Sequence, residues 1–197
     1  MLRDFKLFAV GLFLMVISEG RSQNFYGSMV LGVNASQIDG DNAAGFNKPG
    51  LTGGFKIDYP ISASLDISAE LLYSSRGSRD NRENIQIDLN YIEMPFLVSF
   101  RDWYVEKGDY DKVRVDGGFS YGYLFSAESN ENSIGPFVND LKKHDVSFVT
   151  GVAYMFTPKW GVNLRYTRSL FRMLSGKDFE QGGLLGYFVT LRGEYHF

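Results

Sequence analysis

The last twelve residues constrain the fold more than any other stretch. Reading back from Phe197 by twos gives Tyr195, Gly193, Leu191, Val189 and Tyr187, while the other parity holds His196, Glu194, Arg192, Thr190, Phe188 and Gly186. One face is apolar and aromatic; the other is mostly charged, polar or small. Successive side chains leave on opposite faces only in a strand, so a period of two over this length specifies β-structure. The pattern recurs: Val113, Val115, Phe119, Tyr121, Tyr123 and Phe125 alternate with Arg114, Asp116, Gly118, Ser120, Gly122 and Leu124, in β-favouring residues.

Eight strands are predicted, near 25–37, 49–60, 64–76, 85–101, 112–127, 145–157, 159–172 and 184–197. The fourth is the least regular. Ile85, Ile87, Leu89 and Tyr91 share one parity, whereas Ile92, Met94, Phe96, Val98 and Phe100 share the other. A bulge near Tyr91 would produce that switch, and Pro95 lacks a ladder donor.

Volume decides which face is outside. The apolar parity carries Tyr59, Tyr73, Phe119, Tyr121, Tyr123, Phe125, Phe148, Tyr154, Phe156, Trp160, Tyr166, Tyr187, Tyr195 and Phe197. That bulk exceeds the interior of an eight-stranded barrel, which ordinary side chains already fill. Lipid is an acceptable solvent for the rings and water is not. The fold class is therefore all-β: an eight-stranded antiparallel transmembrane β-barrel, up-and-down, with both termini periplasmic. Tight connections near 60–64 and 157–159 alternate with long polar ones at 37–48, 76–84, 127–144 and 172–183, as in barrels with short periplasmic turns and long outer loops. Asp102–Asp111 breaks this rule by its length. Barrels of this kind belong in the bacterial outer membrane.

Composition agrees. The chain of 197 residues has 17 Phe and 12 Tyr, an aromatic load suited to interfacial girdles, and no Cys. Disulfides, cysteine-ligated metals and a lipoprotein anchor are thereby excluded. A formal charge of -3 gives no basic excess for nucleic acid. Mean hydropathy is negative, against helical membrane spans. The apolar run Leu7–Ile17 follows Arg3 and Lys6 and precedes Gly20 and Ser22. Eleven residues cannot span a bilayer but fit the core of a secretory signal, so residues 1–22 are read as a signal peptide and 23–197 as the barrel domain.

Three stretches carry a family resemblance: Lys48-Pro-Gly-Leu-Thr-Gly-Gly-Phe55, Asp66-Ile-Ser-Ala-Glu-Leu-Leu-Tyr-Ser-Ser-Arg-Gly77 and, most specifically, Leu89-Asn-Tyr-Ile-Glu-Met-Pro-Phe-Leu-Val98. They resemble the PorT-like outer-membrane β-barrels over about Tyr26 to Phe197. The resemblance implies an eight-stranded barrel similar in architecture to OmpA and OmpX. The name-giving member of that family serves a protein secretion system.

No chemistry stands out. The glycine groups around Gly27–Gly32, Gly50–Gly54 and Gly117–Gly122 open no helix, so they read as space for core side chains rather than phosphate loops. Asp39-Gly-Asp-Asn42 lacks the spaced oxygens of an EF-hand and reads as a turn. The charged stretch Arg76, Arg79, Asp80, Arg82 and Glu83 reads as a solvated loop near lipopolysaccharide phosphates. An outer-membrane acyltransferase or protease would need a clustered nucleophile and base, for which the rim offers only His144, Asp145, Ser169 and Asp178. A soluble lipocalin-like carrier would need the aromatic face turned inward. No catalytic residue, metal ligand or cofactor is expected.

The remaining expectation concerns the interior. Lys56, Glu70, Glu93, Arg114, Asp116, Arg165, Arg192 and Glu194 fall on the inward parity in the lower half, four cations and four anions. Such balance favours mutual pairing over an open pore. Tyr195 and Phe197 resemble the C-terminal signal read by the β-barrel assembly machinery. Expected partners are outer-membrane lipid and lipopolysaccharide, the assembly machinery during insertion, and envelope proteins met through the four long loops.

Overall fold

A computed structural model describes residues 25–40, 45–80, 85–130, 138, 140–174 and 183–197. The signal segment 1–22 and the expected first mature residue, Gln23, lie outside the described residues. Eight strands follow in order: β1 Tyr26–Asp39, β2 Lys48–Pro60, β3 Leu65–Asp80, β4 Ile85–Val105, β5 Tyr110–Ser129, β6 His144–Met155, β7 Trp160–Ser169 and β8 Leu185–His196. Each pairs antiparallel with the next, and β8 returns to β1, so the sheet is a closed up-and-down barrel. Closure leaves no unpaired edge, a requirement in hydrocarbon, where an unmade backbone hydrogen bond has no substitute.

Three four-residue turns, 61–64, 106–109 and 156–159, lie at the end that carries the termini. In the last, Thr157 Oγ1 accepts hydrogen bonds from the Lys159 and Trp160 amides at 3.3 and 3.0 Å, which makes the turn tight. The predicted long turn at Asp102–Asp111 is mostly strand. β4 and β5 run on as a ribbon past their neighbours, and the turn proper is 106–109. At the loop end β3 continues through Asp80 and the connection 81–84 lies outside the described residues. The expected loop 76–84 is thus largely strand.

The aromatic parity points outward. None of the rings assigned above to the apolar parity, Tyr59 to Phe197, is buried, and they meet in pairs such as Trp160–Tyr195 at 4.7 Å and Tyr195–Phe197 at 5.8 Å. The parity switch expected in β4 is absent. Ile87, Leu89 and Tyr91 are buried on the same inward parity as Glu93, Leu97 and Ser99. β3 and β4 keep one register throughout. The irregularity lies in the partner strand: Asn90 pairs with Ser126 and Tyr91 with Leu124, so Phe125 is the extra residue. The apolar upper half of β4 therefore faces an interior that is itself apolar at that level.

The filled lumen as candidate functional site

The inward face of β2 passes from the small Thr52 and Gly54 to the charged Lys56 and Asp58, and Lys56 reaches Asp58 at 2.8 Å two positions along the strand. The cross-strand neighbour of Lys56 is Glu70 on β3, but that carboxylate is taken from across the lumen. Arg165 of β7 donates to both Glu70 oxygens at 2.9 and 3.0 Å, and Arg192 of β8 donates to both at 2.8 Å. Two planar guanidinium forks on one carboxylate tie β3 to the distant pair β7 and β8 across the lumen. From this centre the network continues. Arg192 meets Glu194 at 3.1 Å, Glu194 meets Arg114 at 2.5 Å, and Arg114 meets Asp116 at 2.9 Å. Asp116 also accepts from Ser99 and Asn163, each at 2.8 Å.

All eight residues named from the sequence are buried. Seven of them join this network or its Lys56–Asp58 arm. Glu93 does not. It pairs at 2.9 Å with Arg76, which also donates to Asp145 at 3.0 Å. Asp58 takes the place assigned to Glu93 in the balance of four cations and four anions.

Arg76 is the residue that sequence reasoning placed wrongly. It is a buried β3 side chain, not a solvated loop cation, and its guanidinium lies over the Tyr91 ring at 3.9 Å and the Phe188 ring at 4.8 Å. The parity signal was present: Glu70, Leu72, Ser74, Arg76 and Ser78 alternate inward. Gly77 masks it, because it marks strand rather than turn. With φ at 151° it presses its backbone so close to Ile87 O that a Cβ would stand 1.9 Å away. Asp145, expected at the rim, faces the lumen instead, accepting from Ser147 and Ser169 at 3.0 Å each.

Above this second cluster the lumen is apolar. Ile38, Ile87, Leu89, Tyr91, Leu124, Leu141, Met173, Leu174 and Leu184 form one buried cluster. Met173, Leu174 and Leu184 fold in from the β7–β8 connection, where Leu174 and Leu184 form a β-bridge, and Lys142 N donates to Met173 O at 2.9 Å. The cavities beside Arg76 and below Glu93 measure about 10 Å³ each, room for one water. A larger hollow of about 200 Å³ lies at the terminal end among Asp58, Asp66, Arg101, Arg114 and His196. Arg101 bridges it, meeting Asp66 at 2.8 Å and Asp111 at 3.1 Å.

Among the described rim residues no triad assembles. Ser169 bonds Asp145 inside the barrel, whereas His144 lies on the outer face with its Nδ1 2.6 Å from the Tyr121 hydroxyl. The barrel wall separates base from nucleophile, and Asp178 lies outside the described residues. Asp41 and Asn42 of the turn-like acidic stretch lie outside them too. Among the described residues no group of His, Asp or Glu could hold a metal ion.

A closed eight-stranded antiparallel barrel, ringed by exposed aromatics and filled with paired charges, defines a small transmembrane β-barrel. The chain belongs to the outer membrane protein beta-barrel domain family, whose match covers residues 10–175, and it sits in the bacterial outer membrane. Among solved structures it is similar to Ail, the attachment invasion locus protein of Yersinia pestis, at 18% identity over 87% of this chain and 98% of that one, with a TM-score of 0.51. The same protein in complex with the heparin analogue sucrose octasulfate matches at 16% identity over 88% and 99%, TM-score 0.51. Neisserial surface protein A matches at 13% over 91% and 100%, TM-score 0.50. At such identities the likeness is one of fold. No curated protein matches the chain.

Proposed function

We propose that the chain is a sealed outer-membrane barrel, both termini in the periplasm, whose structural or binding role is exerted through its loops rather than through its lumen. The observation that carries this reading is the filling of the interior at two levels, ionic below and apolar above, with cavities of only about 10 Å³ between them. Among the described residues the two filled levels leave a solute no path through the barrel, and the hollow of about 200 Å³ is confined to the terminal end, which leaves the loop surface as the place to meet a partner. The three longest connections, 40–47, 130–143 and 170–184, all lie at the end opposite the termini, which supports the orientation. The resemblance of Leu89–Val98 to the PorT-like barrels favours an assembly role in the envelope, including service to a secretion system. Residues 1–22 act as the export signal, and Tyr195 with Phe197 addresses the chain to the barrel assembly machinery. The carrier alternative fails on geometry, since the aromatic face is outward.

The test replaces residues 131–137 and 175–182 with Gly-Ser linkers of equal length, leaving Leu141, Met173 and Leu184 in place. Such a variant should remain heat-modifiable on SDS gels yet lose the proteins that crosslink to the wild type in native membranes. Unchanged partners, and full complementation of a deletion strain, would contradict a loop-borne role.

A further inference from the structure

We propose that the outer surface of β6 and β7 at the loop end binds the phosphate groups of an outer-leaflet glycolipid. Arg168 stands one residue before the end of β7 on the outward, lipid-facing parity shared by Leu164 and Tyr166, and it is exposed. Its strand partners are Phe148 on β6 and Tyr187 on β8, and its guanidinium lies 5.9 Å from the Tyr187 ring, which in turn meets Phe46 edge-on at 5.4 Å. A cation rising from an aromatic girdle at the hydrocarbon boundary is reached by an anion seated in the leaflet, not by one that approaches through the loops.

Three more nitrogen-bearing side chains stand above it. Lys142, Lys143 and His144 are consecutive and exposed. Their backbone is pinned to the wall: Lys142 N donates to Met173 O at 2.9 Å, and Lys143 O accepts from Leu124 N at 2.7 Å. Leu170 N donates to Val146 O at 2.8 Å, which holds the two strands together just above Arg168. His144 is fixed on the outer face by the Tyr121 hydroxyl. The cations therefore hang from a rigid rim.

Among the described residues the acidic groups nearby do not cancel them. Asp145 points into the lumen and is held by Arg76, and Asp39 accepts the Tyr187 hydroxyl. Asp140 is exposed, one carboxylate against the three cations Lys142, Lys143 and Arg168. On the opposite side of the rim Lys48 is already paired with Asp88. Guanidinium and ammonium groups over an aromatic belt match a phosphorylated sugar headgroup above acyl chains.

The inference uses the orientation proposed above but not the closed lumen, so a conducting barrel would leave it standing. The full chain is reconstituted in phosphatidylcholine nanodiscs with a trace of bis-phosphorylated lipid A, and lipid A retained per protein is counted by mass spectrometry. The wild type should enrich it, and Lys142→Gln/Lys143→Gln/Arg168→Gln should lower that enrichment by roughly tenfold or more, on the usual contribution of each basic residue at a charged interface. Heat-modifiability on gels reports that the variant is folded; if it is not, Arg168→Gln alone is used. Dephosphorylated lipid A should not be enriched by the wild type. Equal retention by the folded variant, equal enrichment of the dephosphorylated lipid, or displacement by millimolar inorganic phosphate would each overturn the proposal.

Discussion

The guanidinium of Arg76 occupies the space that Gly122 leaves open: a Cβ on Gly122 would stand 3.0 Å from Arg76 Nη2 and 3.3 Å from Tyr91 Cδ1. Glu93, Gly122 and Asp145 form one row across β4, β5 and β6, so the missing side chain at the centre is what lets one cation reach both carboxylates. Gly122→Val should push Arg76 out of that row and leave two buried carboxylates without their cation. Removing one partner of a buried pair costs about 3–5 kcal/mol. Arg76→Met should cost a similar amount, and the double variant should cost much less than the sum, because both changes break the same contacts. Urea unfolding in lipid vesicles measures all three; simple additivity would contradict the shared mechanism.

Glu70 should be the most sensitive single position in the lower lumen. It is buried and receives two bidentate arginines, so Glu70→Gln takes the main anionic partner from both, leaving Arg192 with Glu194 at 3.1 Å and Arg165 with Asp116 at 3.8 Å. The expected loss is about 3–5 kcal/mol. Glu70→Gln/Arg165→Met should recover part of it, since one of the two arginines is removed. A loss below about 1 kcal/mol for Glu70→Gln, the range of an exposed ion pair, would mean that water rather than the arginines satisfies this carboxylate.

The wall of this barrel was more legible in the sequence than its interior. Outward residues face a uniform solvent, so Phe119, Tyr121, Tyr123 and Phe125 read directly as alternation, and all eight strands follow from it. Inward residues face one another, and parity alone does not choose their partners. Lys56 and Glu70 are register neighbours, yet the fork geometry of Arg165 and Arg192 wins Glu70, and Lys56 turns to Asp58. The apolar cap was hidden for a different reason. Ile87, Leu89 and Tyr91 look like lipid-facing residues in a chain where apolar means outward, and the inward-folded Leu141, Met173, Leu174 and Leu184, with Ile38 and Leu124 of the wall, supply the second apolar surface that explains them.

That cap gives a third prediction. Leu184 is fully buried against the cluster and bonded through its backbone to both Met173 and Leu174. Truncating a buried leucine costs about 2–5 kcal/mol, but here the cost falls on the cap and not on the barrel ladder. Leu184→Ala should therefore speed tryptic cleavage after Arg172 on intact cells while leaving the heat-modifiable band unchanged. Unaltered cleavage would mean that the β7–β8 connection is held by something other than this packing.

The C-terminus yields a fourth. Phe197 is exposed, lies edge-on to Tyr195 at 5.8 Å, and its amide donates to Gly27 O at 3.0 Å, which completes the seam between β8 and β1. Deleting Phe197 removes one seam hydrogen bond and the terminal ring. If that ring is also read during assembly, the deleted chain should accumulate in the periplasm as protease-sensitive material, far beyond what one lost hydrogen bond of about 1 kcal/mol explains. Normal yield and normal surface-loop proteolysis would leave the ring as a girdle residue alone.

The most direct test of the sealed lumen is ion conductance. The Glu70–Arg165–Arg192 network and the apolar cluster around Tyr91 close the barrel at two levels, so the purified chain in planar bilayers should pass no sustained current across the voltages at which open barrels conduct. Stable, large, porin-like conductance steps from the wild-type protein would contradict the account.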